Sequence, residues 1–285
     1  MNMKTKVAVI FGGTGFVGTA FCKFLIDECY FHKIYLIDHE DIENKDSLYR
    51  TKIFNEMKGV KFIYADVRKE LDFFDPPEDV DLVANFAAVH REPGHLPDEY
   101  YETNILGAEN ICKWAEKVNC QKIVFSSSIS PYGPSEEAID ESSLTVPTTP
   151  YGGSKLAAEK IHQTWQAYDS SNRQLVIVRP GVVFGAGEGG NVTRLIKAIR
   201  GRYFVYTGNK STRKAGTYVK ELCNAIYWVL NSDKAKADKV TIFNMSMNPG
   251  PSVEEYANAI LSVLNKNYFI PVSYTHLTLP TICSV

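Results

Sequence analysis

The sequence predicts a doubly wound α/β fold, in which a parallel sheet carries helices on both faces. Three observations support this. Short β-branched runs alternate with stretches of helical apolar spacing from Lys6 to Val178. These runs are apolar through their middles, as strands covered on both faces must be. The first run stops at Gly12-Gly-Thr-Gly15-Phe-Val-Gly18, and a helical pattern follows immediately.

Lys6 to Phe11 is the first strand. Phe16, Val17, Ala20, Phe21, Phe24 and Leu25 then recur at helical spacing. Lys33 to Ile37 is the second strand and ends at Asp38; Lys61 to Ala65 is the third and ends at Asp66. Asp81 to Ala88 reads as the fourth, and Tyr100 to Val118 as a helix. Lys122 to Ser126 is a strand, Ser154 to Tyr168 a helix, and Leu175 to Val178 a strand closed by Arg179-Pro180-Gly181. Beyond it the texture changes. Gly185 to Gly190 is loop, Val192 to Ile199 helical and Arg202 to Tyr206 a short strand. Lys239 to Asn244 is one more strand, and Ser252 to Leu264 a helix. The expected organisation is a nucleotide-binding domain over residues 1–180, to which 239–264 return. A partial substrate lobe covers 181–238 and 265–271.

The 285 residues are 45% hydrophobic and 22% charged, ordinary for a soluble globular chain. A net charge of -2 argues against a nucleic-acid partner bound by bulk electrostatics. No apolar run approaches the roughly 18 residues of a membrane span, and Val7 to Phe11 breaks at glycines rather than continuing as a signal peptide. Cysteines at 22, 29, 112, 120, 223 and 283 form no Cys-x-x-Cys and stand at no metal-ligand spacing. They are expected to be free thiols in a reducing cytoplasm, with no metal site.

A strand, a Gly-x-x-Gly-x-x-Gly turn and a helix form the context of a dinucleotide site in a Rossmann-type sheet. Gly12 permits the tight turn, Gly15 lets a pyrophosphate approach the backbone, and Gly18 allows close helix packing. Phe16 and Val17 open the helix whose amides face the phosphates. Asp38, at the end of the second strand, is placed to accept both adenosine-ribose hydroxyls and to repel a 2′-phosphate, which favours NAD over NADP. Asp66 and Val67, ending the third strand, are candidates for an adenine contact.

Tyr151-Gly-Gly-Ser-Lys155 is the candidate catalytic motif. On a helix, positions four apart share a face, so an ammonium at Lys155 favours ionisation of the Tyr151 phenol, a poor base at its ordinary pKa of about 10. A second match, Tyr206-Thr-Gly-Asn-Lys210, contains a turn signal at Gly208-Asn209 and is set aside. Pro150 suits a helix entrance. Ser126-Ser127-Ser128 stands upstream of the tyrosine.

With these motifs the chain resembles the extended short-chain dehydrogenase/reductase family, in its NAD-dependent sugar-nucleotide epimerase/dehydratase branch. The resemblance spans residues 5 to about 265. Besides the glycine and Tyr-Lys motifs it rests on Asn85-Phe-Ala-Ala88, Asn104-Ile-Leu-Gly107-Ala-Glu-Asn110, Tyr132-Gly133 and Arg179-Pro180-Gly181. It implies Tyr151 as the acid/base and Lys155 as holder of the nicotinamide ribose. Ser128 would bond the reacting oxygen, with Ser126 and Ser127 as competitors for that role. It implies further that Phe86, Ala87, Ala88 and Val89 pass along the cofactor, that Asn104 supports the helix behind the site, and that Ser126 and Pro180 border it. Substrate candidates are His90, Ser128, Asn191, Arg194 and Arg213. A homodimer is implied through helices beginning near Tyr100 and Ser154, with Leu106, Ile111, Leu156 and Ile161 on the exposed faces.

Three departures matter. Ile129-Ser130 stands where dehydratases of the branch carry an Asp-Glu pair. Val182-Val183 stands where epimerases often place an asparagine. Lys220-Glu221 stands near an expected acidic pair. The leading reading is an NAD-dependent epimerase or oxidoreductase of a nucleotide sugar. The alternatives are a reductase or dehydrogenase of a non-sugar alcohol or ketone, and a non-catalytic dinucleotide-binding protein. Finally, Val272-Ser-Tyr-Thr-His-Leu-Thr-Leu-Pro-Thr281 resembles a translated sequencing-library adapter. Residues 272–285 are therefore treated as a foreign tail, and the natural protein is expected to continue past Pro271 with other residues.

Overall fold

The computed structural model describes residues 6–28, 30–40, 48–72, 74–76, 78–90, 94–135 and 137–273. Seven parallel strands form the main sheet: β1 (Val7–Phe11), β2 (Lys33–Asp38), β3 (Val60–Tyr64), β4 (Leu82–Asn85), β5 (Lys122–Ser126), β6 (Gln174–Pro180) and, late in the chain, β10 (Val240–Met245). Their spatial order is β10-β6-β5-β4-β1-β2-β3. The order reverses between β1 and β4, and ligands of such sheets bind in the crevice at the carboxyl ends beside that reversal.

Alternation within the strands builds two cores. Val7, Val9 and Phe11 point to one face, under α4 (Gly107–Lys117) and α5 (Pro150–Ala167), where Ile111, Trp114, Ala158 and Trp165 cover them. Ala8 and Ile10 point to the other, under α1 (Phe16–Asp27) and α7 (Val219–Asn231), with Phe21, Leu25, Leu222 and Ile226. Each such large apolar side chain contributes about 1.5–3 kcal/mol on burial. That is why the strands read as continuous apolar runs.

The helix expected over Tyr100–Val118 is composite. A short α3 (Pro97–Tyr100) leads into a π-helical turn, Tyr101–Leu106, and then α4. Such turns are rare and often mark functional sites; this one carries Asn104. The sequence reading did not anticipate α2 (Leu48–Glu56), α7 or α8 (Asp233–Asp238). The fourth strand is shorter than read, at Leu82–Asn85, because the chain turns away after Asn85 towards the site.

A smaller core joins α6 (Asn191–Arg200) to α9 (Val253–Val263) through Ile199, Tyr206, Ala257, Leu261 and Ile270. So β10 returns to the main sheet, whereas α9, expected beside it, packs on α6. Conversely α7 lies on the sheet and not in the smaller lobe. Two minor ladders complete the topology: β7 (Val182–Phe184) with β9 (Gly216–Tyr218), and β8 (Tyr206–Thr207) with β11 (Val272–Ser273). Of the tail read as foreign, only Val272 and Ser273 are described; the rest, like Cys29, lies outside the described residues. Cys22, Cys112, Cys120 and Cys223 are buried free thiols.

Candidate active site

The glycine turn sits in the crevice between β1 and β4. Gly12 has a φ of +70°, and a Cβ there would lie 2.6 Å from the Ala87 nitrogen and the Phe86 carbonyl carbon. Phe86 and Ala87 therefore lie directly against the turn, and only glycine leaves room between them. Gly15 occupies the N-cap of α1, and no side chain caps that end. A helix N-terminus of this kind is suited to phosphate.

Asp38 closes β2 beside this turn and is buried. One carboxylate oxygen accepts the Thr14 hydroxyl at 2.7 Å and the Thr14 amide at 3.2 Å; the other accepts the His39 amide at 2.9 Å. Thr14, which the sequence reading passed over, thus fixes the acid next to the glycines. Arg50 was missed as well. It stands twelve residues after Asp38 in sequence, yet its guanidinium donates to the Thr14 carbonyl at 2.7 Å. Burial pushes the Arg50 pKa down, while Asp38 and Glu40 push it back up. A turn that would clash with any Cβ, a helix end without a side-chain cap and a buried acid at the neighbouring strand end together fit a dinucleotide.

Asp66 is engaged by Arg68 through contacts of 2.9 and 2.7 Å, and those hydrogen bonds hold its carboxyl below the usual range. Val67 packs in the core against Gly107, where a Cβ would lie 2.8 Å from its Cγ2.

Beyond β4, the Asn85 side chain accepts the Ala87 amide at 3.1 Å. Asn104 on the π-helical turn holds both backbone groups of Val89, at 2.9 and 3.0 Å, and donates to the Ser154 hydroxyl at 2.9 Å. The amide side chain thus links the segment leaving β4 to α5, the helix that carries Tyr151.

Helix α5 starts at Pro150, the residue read as a helix entrance and four residues before the stretch read as helical. Thr149 caps it, accepting the Gly152 amide at 3.1 Å, and Pro150 follows in the first turn. Tyr151 is half-buried, with its ring 6.1 Å from that of Tyr100. A Cβ at Gly152 would lie 2.7 Å from the Ser130 carbonyl oxygen. The helix entrance therefore rests directly on the turn Ser130–Tyr132 that follows Ser128. Ser128 is buried; its hydroxyl donates to Ser130 Oγ and accepts the Ser130 amide, both at 3.1 Å. Ser127 is committed elsewhere, donating to Glu159. Ser126 ends β5 half-buried, and the Pro180 carbonyl accepts the Ile129 amide at 3.2 Å.

Lys155 is the most deeply buried cation described, at 2% exposure, with Nζ 4.4 Å from the centre of the Phe125 ring. Burial pushes its pKa down to about 7, against the opposing pull of Glu159. His162 lies one turn beyond Glu159 and stacks on Phe125 at 4.2 Å. Its Nδ1 meets the Ala158 carbonyl at 2.7 Å and its Nε2 meets Asn85 at 3.3 Å, which assigns the proton to Nδ1. Burial pushes its pKa down to about 4, so it is neutral near pH 7.

The substrate candidates are scattered. His90 is exposed at the end of the segment leaving β4. Arg194 donates to Asn191 at the exposed start of α6. Arg213 donates to the Gly250 carbonyl at 2.6 Å and lies 3.5 Å from Glu255. The structure contradicts one dimer residue: Ile111 is fully buried in the main core because its side of α4 faces the sheet. Leu106 is 39% exposed, and Leu156 and Ile161 are half-buried.

With this geometry in view, the comparisons with known proteins are specific. The model of the NAD dependent epimerase/dehydratase family matches residues 8–245. An Escherichia coli O157:H7 protein, N-acetyl-alpha-D-glucosaminyl-diphospho-ditrans,octacis-undecaprenol 4-epimerase, is 28% identical over 258 residues, 90% of this chain and 72% of its own. The UDP-glucose 4-epimerase of Bacillus subtilis (strain 168) is 28% identical over 287 residues, 90% of this chain and 82% of its own. Among solved structures, the UDP-glucuronic acid 4-epimerase of Bacillus cereus in complex with NAD superposes with a TM-score of 0.78 at 20% identity, covering 94% of this chain and 87% of that one. This chain is an enzyme belonging to the NAD dependent epimerase/dehydratase family, with that family's sheet and cofactor.

Proposed function

We infer that this enzyme epimerises a sugar carried on a diphosphate, a nucleotide sugar in the first instance, with Tyr151 as its acid/base. The observation that carries the reading is the seating of α5 on the turn after Ser128, with Asn104 tying that helix to the segment that packs on Gly12, and a buried lysine one helical turn behind the tyrosine. Bound NAD supplies a hydride acceptor and donor. The Tyr151 phenol takes the proton of the reacting hydroxyl and later returns it. Lys155, when protonated, favours the ionised phenol. Ser128 bonds the reacting oxygen by turning its hydroxyl away from Ser130 Oγ, while the Ser130 amide holds the Ser128 oxygen in place. Gly12, Gly15, Phe16, Val17 and Gly18 hold the pyrophosphate, Asp38 the adenosine ribose, and the segment from Phe86 to Val89 the inner wall. Asp66 and Val67 border the adenine end.

Ile129-Ser130 supports epimerisation over dehydration. Ser130 donates its amide to Ser128 and accepts the Ser128 hydroxyl, and neither Ile129 nor Ser130 carries a carboxyl group. Asn191, Arg194 and Arg213 are proposed diphosphate contacts, because guanidinium groups pair bidentately with phosphate, and His90 is proposed to face the sugar. A second carrier is favoured by the E. coli relative, whose sugar diphosphate hangs on a polyprenol. The test offers UDP-glucose, UDP-N-acetylglucosamine and N-acetylglucosaminyl-diphospho-undecaprenol separately and identifies the products. Epimerisation of a UDP-sugar is the expected result. Turnover of the lipid-linked sugar alone assigns the second carrier, and turnover of none contradicts the reading.

The same proposal includes a cytoplasmic homodimer. Among the described residues no helix is long and apolar enough to cross a membrane. Leu96, Tyr101 and Leu106 expose apolar surface along α3 and the π-helical turn, and this face is the proposed contact. Sedimentation at micromolar concentration should return twice the monomer mass, and Leu106→Glu should return the monomer.

A further inference from the structure

One carboxylate is buried completely and belongs to none of the roles above. Glu159 is 0% exposed and stands four residues after Lys155, on the same face of α5. Arg179, at the end of β6, grips it bidentately, with Nε to Oε1 at 2.9 Å and Nη2 to Oε2 at 2.6 Å. Ser127, next to Ser128, donates to Oε1. The third arm of Arg179, Nη1, donates at 2.7 Å to the Tyr132 hydroxyl, which donates at 2.9 Å to Asn244 on β10. The guanidinium also lies 4.8 Å over the Tyr132 ring. Burial works against the Arg179 charge, but the hydrogen bonds and charge of Glu159 outweigh it and hold the guanidinium above its ordinary range.

Three pieces of the site meet at this ion pair. One is the helix bearing Tyr151 and Lys155, another is the strand end bearing Ser128, and the third is the turn on which α5 rests. A buried ion pair is a poor source of stability, since desolvating both charges offsets most of their attraction. Mere cohesion would be served as well by apolar groups of the same shape. What a carboxylate adds here is negative charge one turn behind a lysine that burial drives towards neutrality.

We propose that Glu159 is a positioning residue of this active site, its carboxylate keeping Lys155 charged while it fixes the Ser127-Ser128 strand end against α5, with Arg179 as its anchor. The proposal rests on the Tyr151/Lys155 reading given above. Among the described residues, Arg179 from β6 and Ser127 beyond β5 bond Glu159, and Lys155 stands one turn before it on the same helix. Tyr132 is one bond further out, behind Arg179. Lys160, the next residue on α5, is exposed and donates to Gln163, and His162 beyond it is neutral. The acids of the neighbouring α4, Glu109 and Glu116, pair with Lys113 and Arg173 instead.

The experiment compares Glu159→Gln, Glu159→Asp and Tyr151→Phe in the full chain. It follows the titration of lysine Cε by NMR, NADH binding by fluorescence, and turnover of UDP-glucose and UDP-N-acetylglucosamine against pH. For Glu159→Gln, the Lys155 midpoint should fall by at least about one unit, a tenfold loss of the charged form. The acid limb of kcat should move to higher pH, because a phenol beside a less charged lysine ionises later. At neutral pH, kcat should drop roughly tenfold or more with KM little changed, as expected when a transition-state contribution is removed. Glu159→Asp keeps the charge and should hold the lysine midpoint and the limb near their wild-type places, even if turnover falls. An unmoved midpoint and limb in folded Glu159→Gln, or equal shifts in Glu159→Asp, would overturn the proposal. If Glu159→Gln fails to fold, Glu159→Asp decides alone, since a shifted midpoint there contradicts a role for charge. Tyr151→Phe separates the two levels: activity in that variant removes the underlying reading, whereas a dead Tyr151→Phe beside a wild-type-like Glu159→Gln removes only this inference.

Discussion

Tyr151→Phe should lower turnover by at least roughly a hundredfold, the scale of general acid/base catalysis, while NADH binding changes little. The phenol oxygen is the one atom removed. The ring keeps its place beside Tyr100, and the glycine crevice that is proposed to hold the cofactor is built from other elements. Thermal unfolding should be nearly unchanged, since a half-buried ring is conserved. Steady-state kinetics with the UDP-sugar that turns over, alongside an NADH titration, checks both halves. Turnover at the wild-type level would remove Tyr151 from the mechanism. A parallel loss of NADH affinity would mean that the phenol serves the cofactor rather than the proton.

The second large effect is on stability. Arg179→Met leaves Glu159 fully buried without its bidentate partner, and breaking one side of a buried pair costs about 3–5 kcal/mol. Tyr132 loses a donor in the same step, and with it the link from the Ser130–Tyr132 turn to β6. Replacing both charges, with Glu159→Met added to Arg179→Met, should recover most of that loss, because no unpaired ion is left behind. Urea unfolding of the two single variants and the double variant measures this as a cycle. A double variant no more stable than Arg179→Met would mean that hydrogen bonds to Tyr132 and Ser127, and not the ionic contact, set the stability here.

The strands were legible because burial on both faces leaves them apolar, and β1, β2, β5 and β6 lie within a residue or two of their expected ends, with β6 reaching Pro180. The glycine turn was legible because Gly12 faces backbone, where no other residue fits. Helix α5 announced itself through Pro150 at its entrance and the helical run from Ser154, whereas its cap, Thr149, was not read. Other features were hidden for physical reasons. The π-helical turn at Tyr101–Leu106 has an ordinary helical pattern, and it follows from tertiary bonds of Asn104 to Val89 and Ser154. Helix α2 has almost no apolar stripe, so periodicity gave no signal for it, and Arg50 went unnoticed with it. Ile111 looked like a surface residue of a dimer helix because spacing gives the stripe of α4 but not which neighbour covers it. Glu159 did leave a sign, an acid on the same helical face as the candidate lysine; its partner Arg179 is a strand away and becomes visible only once β6 lies beside β5.

Epimerisation by removal and return of hydrogen at one sugar carbon is decided by an experiment with isotopic substrate. UDP-glucose and UDP-N-acetylglucosamine deuterated at sugar C4 are incubated with the enzyme in ordinary water, and the epimeric product is analysed by mass spectrometry and proton NMR. The product should keep its deuterium, because the hydrogen leaves and returns as a hydride without meeting solvent and Tyr151 handles only the hydroxyl proton. Loss of deuterium to water during inversion at that carbon would contradict it, pointing to proton abstraction at carbon and a different role for every residue assigned here.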